Sequence, residues 1–177
     1  MRLRSHLRGQ NSRRKSLRSN GAFSLIELMV AVTILSLLFL LAVPTYQRIQ
    51  RKAKAAAIAN DLRVFAAVFQ AHAHEAGAWP PETAAGIVPM GMTPDELKFD
   101  DWTQKTPMGG KFDWEYNQTH VGVQYHAAIA ITPTTGAPIV LDDELLLEID
   151  KAIDDGDLST GMFRRGNGNY PLFIIEN

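Results

Sequence analysis

The chain has 177 residues, with 18 Lys and Arg against 19 Asp and Glu, and no cysteine. A disulfide framework is therefore excluded, whatever compartment the protein occupies. The near-zero net charge averages two unlike parts: residues 1–22 carry seven bases and no acid, and the remainder carries 11 bases against 19 acids.

The leading bases are Arg2, Arg4, Arg8, Arg13, Arg14, Lys15 and Arg18, and an uncharged apolar run follows at residues 28–43, ended by Pro44. Positive charge ahead of a membrane segment stays on the cytoplasmic side, so this order predicts one span with a cytoplasmic N-terminus. A secretory signal peptide would be cut after the apolar run, and Pro44-Thr45-Tyr46-Gln47-Arg48 offers no small-residue site. A nucleic-acid-binding arm is the other reading of a basic tail. Its place directly before a membrane segment argues against that, and no nucleic acid is expected as a partner. Residues 23–43 match the roughly 20 residues needed to cross a bilayer. One acid, Glu27, stands at the head of the run. A carboxylate costs roughly 2.5–3.5 kcal/mol at mid-bilayer, so its presence points to a function.

Residues 20–46 carry a resemblance. Ala22 followed by Phe23-Ser24-Leu25-Ile26-Glu27-Leu28 resembles the N-terminal signature of the type IV prepilin and type II secretion pseudopilin superfamily, a small residue, a cut, then FxLIEL. The family's usual residue before the cut is Gly; here Ala22 holds that place and Gly21 lies one position earlier. The resemblance implies cleavage between Ala22 and Phe23 by a prepilin peptidase, N-methylation of Phe23, and an assembly role for Glu27. It also implies a long curved N-terminal helix whose second half packs on an antiparallel sheet. The bland reading of Glu27 is a carboxylate favoured at a helix N-terminus and resting among lipid headgroups.

Residues 23–76 contain no Gly and a single Pro, and as one helix would reach about 80 Å. Pro44 removes a backbone donor, so a kink or local melting is expected there. Past it the pattern turns amphipathic, with Ile58, Leu62, Phe65, Phe69 and His72 on one face. Gly77 and then Trp79-Pro80-Pro81 stop the helix.

Residues 78–110 hold five of the nine prolines and read as an ordered loop. Residues 111–117 alternate Phe112, Trp114 and Tyr116 with Asp113 and Glu115, a half-buried strand; 121–131 is its partner, joined as a hairpin through Gln118-Thr119-His120. Leu145, Leu146, Ile149 and Ile153 fall at helical spacing behind an Asp142-Asp143 cap. Two short strands, 162–165 and 170–176, flank Gly166-Asn167-Gly168-Asn169. The run from Thr106-Pro107-Met108-Gly109-Gly110 to Trp114 is similar to a Pro-x-Gly-x-x-aromatic-x-aromatic motif that major pseudopilins carry ahead of their first strand.

His72, His74 and Glu75 invite a metal reading, but positions i and i+2 on a helix point about 200° apart. A core-edge His72 and a surface His74 are expected. Asp154, Asp155 and Asp157, with Gly156, form a concentrated oxygen cluster at a helix C-terminus. It reads as a solvated acidic turn or as a calcium site, the second by analogy with the C-terminal loop of major pseudopilins; its spacing is not that of an EF-hand. No nucleophile motif, phosphate loop or catalytic carboxylate pair is present, so no enzymatic activity is expected.

The expected protein is α+β and pilin-like. Residues 1–22 form a cleaved leader, 23–43 the transmembrane half of the stem, 44–76 its amphipathic half, and 77–177 a globular head. It would sit in a bacterial inner membrane with a periplasmic head. Its partners would be the prepilin peptidase, other pilin or pseudopilin subunits, an inner-membrane assembly platform and the lipid bilayer. A type II secretion pseudopilin is the favoured function. A type IV pilus subunit and an anchored binding module that never polymerises are the alternatives. Arg48, Arg51, Lys52 and Lys54 form a basic collar, and residues 55–177 beyond it hold 18 acids against seven bases. That asymmetry suggests attraction between the stem of one subunit and acids such as Glu144 or Glu148 of the next, or else contact between the collar and lipid headgroups.

Overall fold

The computed structural model describes residues 24–177; the leader and the Ala22–Phe23 junction lie outside the described residues. The chain divides into a unit ending at Ala42 and a second unit, Val43–Asn177.

Helix α1, Leu25–Ala76, contributes to both units. In the first it exposes only apolar and small side chains after Glu27, from Leu28 at 61 % to Leu41 at 74 %. Its two hydroxyl side chains cap backbone carbonyls one turn back, Thr33 Oγ1 to Met29 O and Ser36 Oγ to Val32 O, each at 2.8 Å. Those hydroxyls therefore leave no donor open toward hydrocarbon. Pro44 lies inside the helix and the helical conformation continues through it. The local melting expected there does not occur.

In the second unit α1 buries Ala55, Ile58, Ala59, Leu62, Phe65, Ala66 and Phe69, the face that the period indicated. A four-stranded antiparallel sheet covers it: β1 Lys111–His120, β2 Val123–Thr132, β3 Phe163–Arg165 and β4 Pro171–Glu176, in the order β1-β2-β4-β3. Register sets one row across all four strands, Trp114, Ile129, Phe173 and Phe163, and every member is buried. Against this row the stem places its aromatics. Phe69 stacks on Trp114 with centroids 4.0 Å apart and planes 5° from parallel. Phe65 meets Phe112 edge-on at 4.9 Å. The Trp114 indole N–H donates to Pro80 O at 2.9 Å, so the polar end of the ring is satisfied inside the core.

The loop after α1 is mostly irregular, as its prolines required, but it contains a short helix, α2 Phe99–Thr103, that the sequence did not announce. It delivers Trp102, fully buried against Phe65 and Phe69, with its N–H on Ile87 O at 2.9 Å. The glycine pair before β1 is required sterically. Gly109 and Gly110 have φ of +89° and +69°, and a Cβ on Gly109 would meet Pro138 O at 2.1 Å.

The β1–β2 connection differs from expectation. Gln118, Thr119 and His120 belong to β1, and the turn is Val121-Gly122, with φ of +49° and +80°. Two positive φ values in a two-residue loop match the twist of the strands. A β-branched residue at the first position is strained, and Asn167 Oδ1 holds it by accepting the Val121 N–H at 2.9 Å. Helix α3, Asp143–Ile153, is capped by Asp142, whose Oδ1 accepts from Glu144 N and Leu145 N.

Replacing Phe69 by Ala should remove about 3–5 kcal/mol of head stability, since both the stack and a buried volume are lost. A denaturant midpoint close to that of the unaltered chain in detergent would contradict this packing account.

Candidate functional site

At the start of α1, the Ser24 N–H donates to Glu27 Oε2 at 2.9 Å and Leu28 N–H to Ser24 O at 3.2 Å. Ser24 and Glu27 thus form the glutamate half of a capping box, satisfying an amide that the helix leaves open. Glu27 has a local partner in the single subunit and only one of its two oxygens is used by it. Phe23, one position earlier, lies outside the described residues.

The basic collar lies in the second unit and is partly neutralised within the same subunit. Arg51 Nε contacts Asp142 Oδ2 at 3.2 Å and Arg51 Nη1 contacts Glu144 Oε2 at 2.6 Å. Burial opposes the Asp142 charge, but the Leu145 N–H and the Arg51 guanidinium outweigh it and hold the carboxyl below its usual value. Glu144 is therefore engaged with its own stem. Arg48, Lys52 and Lys54 are exposed and form no ion pair among the described residues. Arg165 pairs with Asp143 at 2.8 Å and joins β3 to α3.

The acidic turn after α3 is rearranged relative to expectation. Asp150, Asp154 and Asp155 each place a carboxylate oxygen within 4.8 Å of the others. Asp157 is outside that group, and its Oδ1 accepts the Ser159 N–H at 3.0 Å. Asp154 Oδ2 accepts the Met162 and Phe163 amides. Asp155 accepts Asp157 N–H and the Thr160 hydroxyl, which hold it below its usual value. Asp150 was invisible in the sequence because it sits among the apolar positions of α3. It is fully buried and neither oxygen closes a hydrogen bond. Burial raises its pKa, the nearby Gly156 N–H tempers that only in part, and Asp155, Asp154 and Asp157 push it further up.

His72 and His74 separate as expected. His72 is half-buried, with Nδ1 3.0 Å from Glu96 Oε1, and His74 is exposed. The Glu96 carboxyl is held well below its usual range by His72 and by Thr93. The pair clasps the loop to the stem and leaves no histidine metal cluster among the described residues.

A second cluster of acids lies on the sheet face turned away from the stem. Asp113 is pushed up to about 6, first by burial and then by Glu115, against a hydrogen bond from Thr132 Oγ1 at 2.7 Å. Glu82, at the edge of β1, accepts the Tyr116 N–H at 2.6 Å and is raised by partial burial, by Glu115 and by Asp113. The alternation in β1 put these acids opposite the aromatics but gave no sign that they are crowded.

With these arrangements established, comparison with known families identifies residues 17–43 as a prokaryotic N-terminal methylation motif. The chain therefore carries a prepilin-type N-terminal segment, and the described fold behind it is the pilin-like α+β arrangement of a long helix on a small antiparallel sheet. Comparisons with curated proteins and with solved structures returned no match.

An acid whose pKa is raised on folding favours the folded state while protonated, so that contribution is full below its unfolded value and lost as pH rises through its folded value. Asp113 should thus lower head stability progressively between about pH 4 and the folded value of about 6. Asp113→Asn keeps an acceptor for Thr132 and should flatten that decline. Denaturant midpoints from pH 4 to 7 that fall equally in both forms would contradict the assignment.

Proposed function

We propose that the chain is a structural subunit of a pilus-like filament of the type II secretion kind. It would be inserted with its head in the periplasm, cut between Ala22 and Phe23 by a prepilin peptidase, methylated at Phe23, and passed by an assembly platform from the inner membrane into the filament. The observation that carries this reading is the methylation motif lying on a helix whose first half exposes a full bilayer length of apolar side chains. Such a surface is stable in lipid or against other copies of itself, and not in water. The lack of cysteine and the Thr106–Trp114 resemblance favour the secretion branch over a type IV pilus.

Glu27 fits the assembly step. After cleavage the Phe23 ammonium of a neighbouring subunit would be a cation within an otherwise apolar core, and the free oxygen of Glu27 is its natural counter-charge. Losing one partner of such a buried pair costs about 3–5 kcal/mol. Mass spectrometry of membrane-extracted protein should give a methylated Phe23 N-terminus, and Glu27→Ala should be cut normally yet yield few filaments. A retained Met1 or a new N-terminus beyond Val43 would overturn the prepilin reading. Normal cleavage with no filament under any condition would favour the anchored, non-polymerising module.

We also propose calcium as a structural ion of the head. The residues fit: Asp150 is a buried carboxylate that no side chain donates to and that only the nearby Gly156 N–H approaches, and Asp154 and Asp155 bring two more hard oxygens to it. A cation held there would neutralise three acids at the C-terminal end of α3, where the helix dipole disfavours them. Calcium should raise the melting temperature of the full chain in detergent. Asp150→Asn should abolish that increment and, in chelator, be at least as stable as the unaltered chain. Equal melting with calcium and with chelator would reject the site.

A further inference from the structure

Where the stem leaves the apolar run, its exposed side chains become amphipathic and basic. Tyr46 and Ile49 are each 61 % exposed there, among Arg48, Arg51, Lys52 and Lys54. Arg48 follows Val43, the last residue of the run, by five positions and Lys52 by nine. At ~1.5 Å per residue their Cα atoms stand about 7 and 14 Å along the helix from it. The headgroup layer beside a roughly 30 Å hydrocarbon core is about 5–8 Å deep on each side. Side chains on a helix lean toward its N-terminus, which on this stem is the apolar end. Both bases are therefore within reach of the headgroup layer, and Tyr46 stands at its edge, where amphipathic rings collect.

A cavity of about 230 Å³ opens at this level between the stem and α3. Arg48, Arg51 and Lys52 line it from the stem, and Glu144, Glu148 and Lys151 line it from α3 around the half-buried Leu147. Each acid is already answered inside the subunit, Glu144 by Arg51 at 2.6 Å and Glu148 by Lys151 at 3.8 Å. Asp142 fixes Arg51 further. Arg48 and Lys52 are left over: both are exposed, and neither forms an ion pair among the described residues. Like charges four positions apart on a helix repel one another, and an anion between them would relieve that. The volume is below the roughly 300–1,000 Å³ of small-molecule sites and suits a group the size of a phosphate.

We propose that this cavity binds the phosphate of an anionic phospholipid headgroup while α1 spans the bilayer, with Arg48 and Lys52 supplying the charge and Lys151 approaching from α3. A free phosphate ion shares that chemistry. The lipid is the occupant because the cavity is built on the element that crosses the membrane, within headgroup reach, and anionic surfaces attract basic residues beside a span. Residues 55–177 hold 18 acids against seven bases, so an anionic surface repels the head as a whole. Any stabilisation of the head by such a surface has to come from a local site. Since α3 forms one wall, the cavity exists only in the folded head, and a lipid held there is a ligand of the folded state. The inference rests on α1 as a membrane anchor and not on filament formation, and it gives the collar a role before assembly.

The test uses the full chain in nanodiscs of phosphatidylcholine with or without phosphatidylglycerol. Tryptophan fluorescence follows unfolding of the head, since Trp79, Trp102 and Trp114 all lie in it. Phosphatidylglycerol should raise the melting temperature by roughly 4 °C, and added salt should erode that increment. Arg48→Gln combined with Lys52→Gln should abolish it, while Arg48→Lys combined with Lys52→Arg should keep most of it. Both positions are exposed, so each double variant should melt like the unaltered chain in phosphatidylcholine alone. Equal melting in the two lipids, or an increment that survives the Gln pair, overturns the proposal. Inorganic phosphate that gives the same increment in phosphatidylcholine discs at matched ionic strength overturns it too, because the site then takes a soluble ion. A chain that enters neither disc removes the membrane anchor together with the site, a different failure from incorporation without lipid preference.

Discussion

One helix has to satisfy two surroundings. The first part of α1 offers nothing but hydrocarbon and self-satisfied hydroxyls, while the second offers a narrow apolar stripe with charges around it. The sheet covers the second. The protein's life history follows from that division. The exposed half must be taken up first by lipid and later by equivalent helices, because water is never an acceptable solvent for it. Glu27 is the exception placed at the boundary, where its carboxylate closes the first turn of the helix by accepting the Ser24 N–H.

The sheet answers the stem on one face and is left to itself on the other. Aromatic rings dominate the first face, with Phe69 on Trp114 and Trp102 closing the side. Size is what matters there, since large flat rings fill the angle between helix and sheet. The other face is built from Ala128, Ala130 and short acidic side chains, a shallow and negative surface with His120 at its end.

Much of this was legible in the residues because it rests on periodicity. The apolar span, the stripe from Ile58 to Phe69, the strand alternation at Phe112 and Trp114, and the capped helix behind Asp142 all repeat at the spacing of their element. What escaped has no period. Val121 opens a turn at positive φ, which β-branched residues rarely do, so Asn167 from a distant loop had to be known to place it. Helix α2 is too short to show a stripe and sits among prolines. Asp150 looks like one more polar position on α3 until the turn folds back over it, and the same is true of the crowding around Asp113 and Glu115. Sequence separation is the common cause: Arg51 reaches Asp142 across 91 residues, and Asn167 reaches His120 across 47.

The central claim is that the exposed half of α1 exchanges lipid for other copies of itself. Electron cryomicroscopy of filaments recovered without detergent tests it most directly. The account predicts residues 25–43 of each subunit packed against those of its neighbours in a lipid-free core. A filament in which these segments stand apart, sheathed in lipid or detergent and making no contact with one another, would contradict it.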